Sequence, residues 1–448
     1  QGEKVLDLLN VAVDPRDANH YFITSYGTGL YEFQGKQCVA HHLPAANNTL
    51  HSAVQGVDSL YTRVDYATYD SVHTLWMLNG GAVPYPLVCI DQYGEWHGLP
   101  LIVDNEPIAL ETPGGLVIDK QVPNQKWIAV ARKSTALYLL DDNGTPFDAS
   151  DDRAIGRNTW VSTKGHSFEP EFILCMTQDR KGNIWMGTDQ GVAIFDPTGY
   201  FDSDLCQRPE LMDTNGENPM TELWVEAICQ DKSGQIWVGT KTLGVYVLNE
   251  DATQITAHYT TENSALPANS ILSLACDEQG IVYIGTGEGL AQYIPFAEKI
   301  YSWDNEKEEE DMQPGVMQQW RLHFSYYNPT EIVATPNYIF AIGNGSLYAV
   351  DRRSETIEYF DKSNGLTGST IAHIAYDNAS GQLIICYEDG RIDLLDQEGN
   401  ITQMPDLFLK AGSMAVDIQC ITVGKRHTYL GMSFGIVAIN PRKAEVTE

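Results

Sequence analysis

Short apolar, β-prone runs separated by turns rich in Asp, Asn and Gly recur along this chain, and three segments repeat the pattern almost residue for residue. They are Asp179-Arg-Lys-Gly182-Asn-Ile-Trp185-Met-Gly187-Thr188, Asp231-Lys-Ser-Gly234-Gln-Ile-Trp237-Val-Gly239-Thr240 and Asp277-Glu-Gln-Gly280-Ile-Val-Tyr283-Ile-Gly285-Thr286. In each, Asp and Gly bracket a tight turn, since Asp bonds nearby backbone and Gly accepts positive φ. The Ile-Trp or Val-Tyr pair then opens a strand, Gly-Thr lets the chain pack closely at its end, and Gly191, Gly244 or Gly289 leads into a third strand at 192–195, 245–248 or 290–293. The aspartates recur at intervals of 52 and 46 residues. That is the length of one four-stranded blade of a β-propeller.

Weaker copies run in both directions. Residues 10–14, 21–25 and 29–33 form one unit, with Tyr26-Gly27-Thr28-Gly29 as its turn; 75–78 with 87–91 form a second, and 126–131 with 137–141 a third. Beyond the trio, 338–342 with 346–351, then 371–377, 382–387 and 391–396, then 418–423, 428–432 and 435–440 complete nine. Propellers typically close with about four to eight blades. The expectation is therefore an all-β propeller of about nine four-stranded repeats: one closed ring, seven blades being one solution, plus additional blades. The free strand edges of the surplus blades would invite a partner segment.

Composition fits this picture: 43% of residues are hydrophobic, and 38 Gly supply the turns. No apolar run reaches the roughly 20 residues that span a bilayer as a helix, and no lysine-led apolar leader stands at Gln1. A formal charge of −32 argues against a nucleic-acid partner, which requires a basic footprint. None of the eight cysteines is spaced Cys-x-x-Cys. Cys175, Cys229 and Cys276 precede the three repeat aspartates at different offsets, so they are not one structural position and read as buried free thiols.

Candidate chemistry is sparse. The chain lacks His-Glu-x-x-His, Gly-x-Ser-x-Gly and a phosphate-cradling Gly-x4-Gly-Lys-Ser/Thr, and Gly343-Asn-Gly345-Ser346 reads as a hairpin turn. His41 and His42 are neighbours on a strand, so their rings point to opposite faces and cannot share a metal. Asp213-Thr-Asn215-Gly216-Glu217, in the long loop 200–221, is a fragment of a calcium loop without its full spacing and reads as a surface turn. The acidic run from Asp304 to Gly315 reads as a solvated linker. Sixty acidic residues make chance carboxylate pairs certain, and the repeat departs from the sialidase pattern, which has one residue between Asp and Gly rather than two. Trp185 and Trp237 read as blade core. The sequence therefore identifies no catalytic, cofactor, metal or ligand-binding residue and implies no cofactor.

The segment Tyr259-Thr-Thr-Glu-Asn263-Ser-Ala-Leu266-Pro267-Ala-Asn269-Ser-Ile271, running into Asp277, resembles the two-component regulator propeller repeat of periplasmic sensors in Bacteroidetes, a resemblance covering about 156–303. Trp320-Arg-Leu-His-Phe through Asn364-Gly-Leu366, then Tyr387-Glu-Asp-Gly390-Arg-Ile-Asp393-Leu-Leu-Asp396 and Phe434-Gly-Ile-Val437, resembles the opening blades of PorZ-type proteins of the type IX secretion system. Val13-Asp14-Pro15-Arg16 with Thr24 to Phe33 resembles a later blade of that family, so the blade order is permuted. Radial repetition tolerates this because each blade contacts mainly its neighbours. The expected division is 1–150 (three divergent blades), 151–303 (three regulator blades), 304–318 (acidic linker) and 319–448 (three PorZ-like blades). The resemblance implies a non-enzymatic binding scaffold of the bacterial envelope, in the periplasm or on the outer surface. Its partners would be other envelope or secretion proteins or a polysaccharide, with exposed Trp and Tyr available to stack on sugars. Two rival readings are an oligosaccharide-sensing ectodomain of a hybrid two-component system and a propeller lyase or glycosidase.

Overall fold

The computed structural model describes the chain apart from residues 1–6, 47, 55–60, 133, 210, 212–219, 221, 296–319, 324–328, 355, 406, 408–417, 433 and 448. The acidic run at 304–315, the linker expected at 304–318 and the Asp213–Glu217 turn lie outside the described residues.

Among the described residues, nine blade sheets follow one another, at 8–42, 63–99, 113–157, 173–195, 225–259, 271–323, 329–360, 371–403 and 418–446. They are called blades 1 to 9, with strands A to D from first to last. Eight are four-stranded meanders in sequence order, the arrangement in which each hairpin turn supplies the next neighbour. Blade 4 has three strands, and its outer edge is occupied by the antiparallel bridge of Ile194 with Gln207. Every A strand breaks register near its start, as between Val64 and Tyr66, Pro113 and Gly115 or Ile173 and Cys175. Such bulges bend and twist the innermost strand. No helix among the described residues is long and apolar enough to cross a membrane.

Two compact units are present: residues 1–241 with 246–257, and residues 242–245 with 258–448. Within the first, the A strands of blades 1 to 5 neighbour one another in succession. The alternation of each strand sends one set of side chains to either face, and each face packs on the next blade. Phe22 and Leu30 of blade 1 thus meet Met77 and Val88 of blade 2; Trp76 and Leu87 meet Ile128 of blade 3; Trp127 and Leu137 meet Ile184 and Met186 of blade 4; Trp185 and Val192 meet Ile236 and Val238 of blade 5. Within the second unit, the same stacking joins Phe340 and Ile342 of blade 7 to Leu383 and Ile385 of blade 8, and Ile384 and Leu394 of blade 8 to Leu430 and Ile439 of blade 9.

Candidate functional site

The repeated residues turn out to be the frame that holds the loops. In blade 4 the Asp179 carboxylate accepts the backbone N–H of Asn183 at 2.8 Å and the indole N–H of Trp185 at 2.9 Å. Asp231 does the same for Gln235 and Trp237, and Asp70 in the divergent blade 2 for Thr74 and Trp76, both indole bonds measuring 2.9 Å. In blade 6 a tyrosine takes the ring's place, with the Tyr283 hydroxyl 3.2 Å from Asp277. The turn glycines Gly182, Gly234 and Gly280 sit at φ of 93°, 95° and 93°, where a side chain would be strained. A side chain at Gly187 would collide with Cys175 and with Val225 of blade 5, which explains the glycine ahead of the repeat threonine. Thr188 and Thr286 close the next turn through bonds of 2.8 Å to the carbonyls of Gly191 and Gly289.

Two clefts open at opposite ends of this frame in the first unit. One, of about 700 Å³, lies where the A strands of blades 1 to 4 run into their turns; Val11, Val13, Tyr69, Val117, Asp119 and Gln178 are among its walls. The other, of about 740 Å³, lies at the B–C turn end between blades 3 and 4. Its walls combine the rings of Tyr138 and Phe172 with Arg132, Arg157, Glu169 and Glu171. Tyr138 lies flat over the strand, because a side chain at Gly156 opposite would occupy the ring's space. Arg157 is fixed by donating to the carbonyls of Tyr200 at 2.7 Å and Phe201 at 3.4 Å. Phe172 packs against Trp224 at 5.1 Å between ring centres, and the Lys241 ammonium sits 3.9 Å from the Trp224 ring centre. Aromatic platforms among fixed donors and acceptors suit a ligand with an apolar face and many hydroxyls.

The histidines separate as their alternation requires. The His41 ring stacks on Tyr31 and bonds the Thr28 carbonyl, while His42 bonds Glu32 at 2.8 Å. His20 joins the latter side: its Nδ1 lies 3.1 Å from Asp14 and its Nε2 2.9 Å from Glu32. Carboxylates only accept here, so both bonds require the doubly protonated ring. Burial opposes that charge, but the bonds to Glu32 and Asp14 outweigh it and raise the His20 pKa. The Arg16 guanidinium holds Asp14 well below the usual carboxylate range. No cluster of His, Cys, Asp and Glu among the described residues is arranged to hold a metal.

Trp185 and Trp237 are each 1% exposed and belong to the core. The eight cysteines are free thiols; Cys229 is buried, whereas Cys175 and Cys276 are only partly so by residue. They face Trp237, Gly187 and Val282 respectively across the A–B pair and are three different positions. The cleft residues Tyr138, Arg157 and Phe172 carried no signal in the sequence, because they lie outside the repeated turns and meet only through blade stacking.

This frame, with its turn-clasping aspartates, defines a β-propeller protein built in part from regulator repeats: residues 167–190, 220–242 and 265–288 match the two-component regulator propeller family. Residues 339–448, the last blades, match the N-terminal β-propeller domain of PorZ of the type IX secretion system. A domain that is N-terminal in that family therefore follows the regulator repeats here. Among solved structures, PorZ of Porphyromonas gingivalis, a bacterial surface component of the type IX secretion system, aligns with a TM-score of 0.55 at 22% identity, over 88% of this chain and 50% of PorZ. The chain thus spans about half the length of that protein. The extracellular domain of a hybrid two-component system of B. thetaiotaomicron aligns with a TM-score of 0.29 at 13% identity, over 99% of this chain and 65% of the other. YCF48 of Cyanidioschyzon merolae aligns with a TM-score of 0.35 at 13% identity, over 97% and 95%. No curated protein sequence matches.

Proposed function

We propose that the protein is a non-enzymatic binding scaffold of the bacterial envelope, a PorZ-like component of type IX protein secretion in the periplasm or at the outer surface. The observation that carries this reading is the PorZ N-terminal propeller match over 339–448. Blades stacked face to face make a stiff frame, and recognition then falls to the loops at its ends. The cleft of Tyr138, Arg132, Arg157 and Phe172 is the surface best furnished for it, and an envelope polysaccharide is the ligand its rings and fixed polar groups favour. In a type IX-secreting host, removal of the gene is expected to abolish cargo export; undiminished export would overturn the assignment. The three regulator repeats favour a second reading, an oligosaccharide sensor. A melting-shift screen separates the two: a shift with envelope polysaccharide alone supports the scaffold, and a shift with dietary oligosaccharides supports the sensor. Tyr138→Ala should remove the shift in either case.

A further inference from the structure

Blades 8 and 9 meet at their turns around a cleft of about 340 Å³ walled by Lys425, Arg426, His427 and Arg442 of blade 9 and Asp377 and Ala379 of blade 8. The chain has 28 Lys and Arg against 60 Asp and Glu, so a wall carrying three of those cations and a histidine runs against its average charge. The one carboxylate present offsets at most one of the three cations and forms no ion pair with them among the described residues. Asp377 is buried and accepts the backbone N–H groups of Ala379 at 3.0 Å and Ser380 at 3.2 Å. Arg442 donates through Nε (3.1 Å) and Nη2 to the carbonyl of Ala379, which fixes the plane of its guanidinium and leaves its charge uncancelled. Lys425 and Arg426 are exposed and form no ion pair among the described residues. Like charges gathered on one concave wall repel. Carboxylates are in surplus over the chain as a whole, and a counter-charge is what this cleft lacks.

We propose that this cleft binds a tetrahedral oxyanion, phosphate or sulfate, with Arg442 as the preset planar donor and Lys425 and Arg426 closing over the opposite oxygens. Guanidinium and ammonium groups form the strongest class of protein hydrogen bonds with such ions, and an arginine held in place loses little freedom on binding them. The cleft is larger than a bare ion and admits the organic residue of a phosphate or sulfate ester.

The proposal does not depend on the secretion reading. Calorimetric titration of the whole protein with potassium phosphate and with potassium sulfate, in low-salt buffer at pH 7, is expected to show saturable one-site binding. The double variant K425S/R426S, both positions being exposed, should keep the wild-type melting temperature and bind at least about tenfold more weakly, as expected for loss of two charge-assisted contacts. R442Q should weaken binding as well. Absence of saturable binding, equal affinity in wild type and K425S/R426S, or equal competition by chloride at matched ionic strength would overturn the site. Glucose 6-phosphate separates the sources: tighter binding than inorganic phosphate assigns the group to an ester, equal binding assigns the free ion, and both must be lost in K425S/R426S.

Discussion

Blades 5 and 8 hide a carboxylate beside an aromatic ring, but at opposite ends of the sheet. In blade 5, Asp231 at the A–B turn bonds the indole of Trp237, six residues on, and the backbone of Ser233 and Gln235. In blade 8 the turn aspartate Asp377 accepts two backbone N–H groups, and the buried strand residue after the turn is Leu383, which has no donor to offer. The ring has moved to the end of strand B. The Tyr387 hydroxyl donates to Asp393 at 2.7 Å, and Asp393 also accepts the N–H and hydroxyl of Thr367, both at 2.8 Å. The regulator clasp thus closes a local turn, whereas the PorZ-like brace ties the loop entering blade 8 to its strand C. One solution stabilises a hairpin, the other fixes the path of the chain between blades.

The largest expected effect tests the first half of this contrast. Trp237→Ala removes a ring that is 1% exposed and orphans an oxygen of Asp231, and should cost about 3–5 kcal/mol in urea unfolding. A loss below about 1 kcal/mol would mean that blade 5 does not rest on this ring.

A third buried carboxylate, Asp65 of blade 2, has neither ring nor hydroxyl for a partner. It is 2% exposed, its Oδ2 is unpaired, and burial pushes its pKa up to about 7 against the charge of Arg63 and the N–H of Gly80. The unfolded side chain ionises near 3.8. Between those pH values the native state keeps a proton that the unfolded chain has released, so stability falls as pH rises through this window and is lowest above it. Asp65→Asn keeps an acceptor for Gly80 without the charge, and should raise stability at pH 8 by about 2–4 kcal/mol while leaving pH 4 nearly unchanged. An equal change at both pH values would show that Asp65 is not protonated in the fold.

Asp393→Ala should be the next most costly, at about 2–3 kcal/mol, because it strands the Tyr387 hydroxyl and two groups of Thr367. Asp231→Ala should cost about 1–2 kcal/mol: it strands the indole N–H of Trp237, but Gln235 and Ser233 lie at a turn that water can reach. The reverse order in the same urea series would break the distinction between a local clasp and a long-range brace.

How far these features were legible follows from the same distinction. The turn Asp, Gly and Trp lie within a few residues and recur, so period alone exposed the blades, including the nine sheets. The indole bond was not legible: Asp-x-x-Gly predicts backbone bonds, and nothing in its spacing says that the sixth residue's ring folds back on the carboxylate. Asp70 and Trp76 share that geometry although blade 2 lacks the turn glycine, its left-handed position being held by His73 at φ of 67°. Asp393 in strand C and Thr367 in the loop entering blade 8 are separated by 26 residues, so only the fold pairs them. The same holds for the cleft at Tyr138 and Phe172, assembled across two blades, and for the cation wall, where two turns of blade 9 bring Arg442 to Lys425 and Arg426.

The smallest expected effect isolates a single bond of the brace. Tyr387→Phe keeps the ring, which is 1% exposed, and removes only the hydroxyl donated to Asp393, for a loss of about 1 kcal/mol. Burial already raises the Asp393 pKa, and the bonds from Tyr387 and Thr367 are what restrain it. Without the hydroxyl that pKa should rise further, which makes the loss depend on pH in a defined direction. As pH falls through that raised pKa the native carboxyl takes up a proton and misses the donor less; above it the carboxylate has lost one of its three donors and the penalty is full. A penalty that stays constant from pH 4 to pH 8 would mean that the hydroxyl serves only to fill space, and that the brace in blade 8 is held by Thr367 alone.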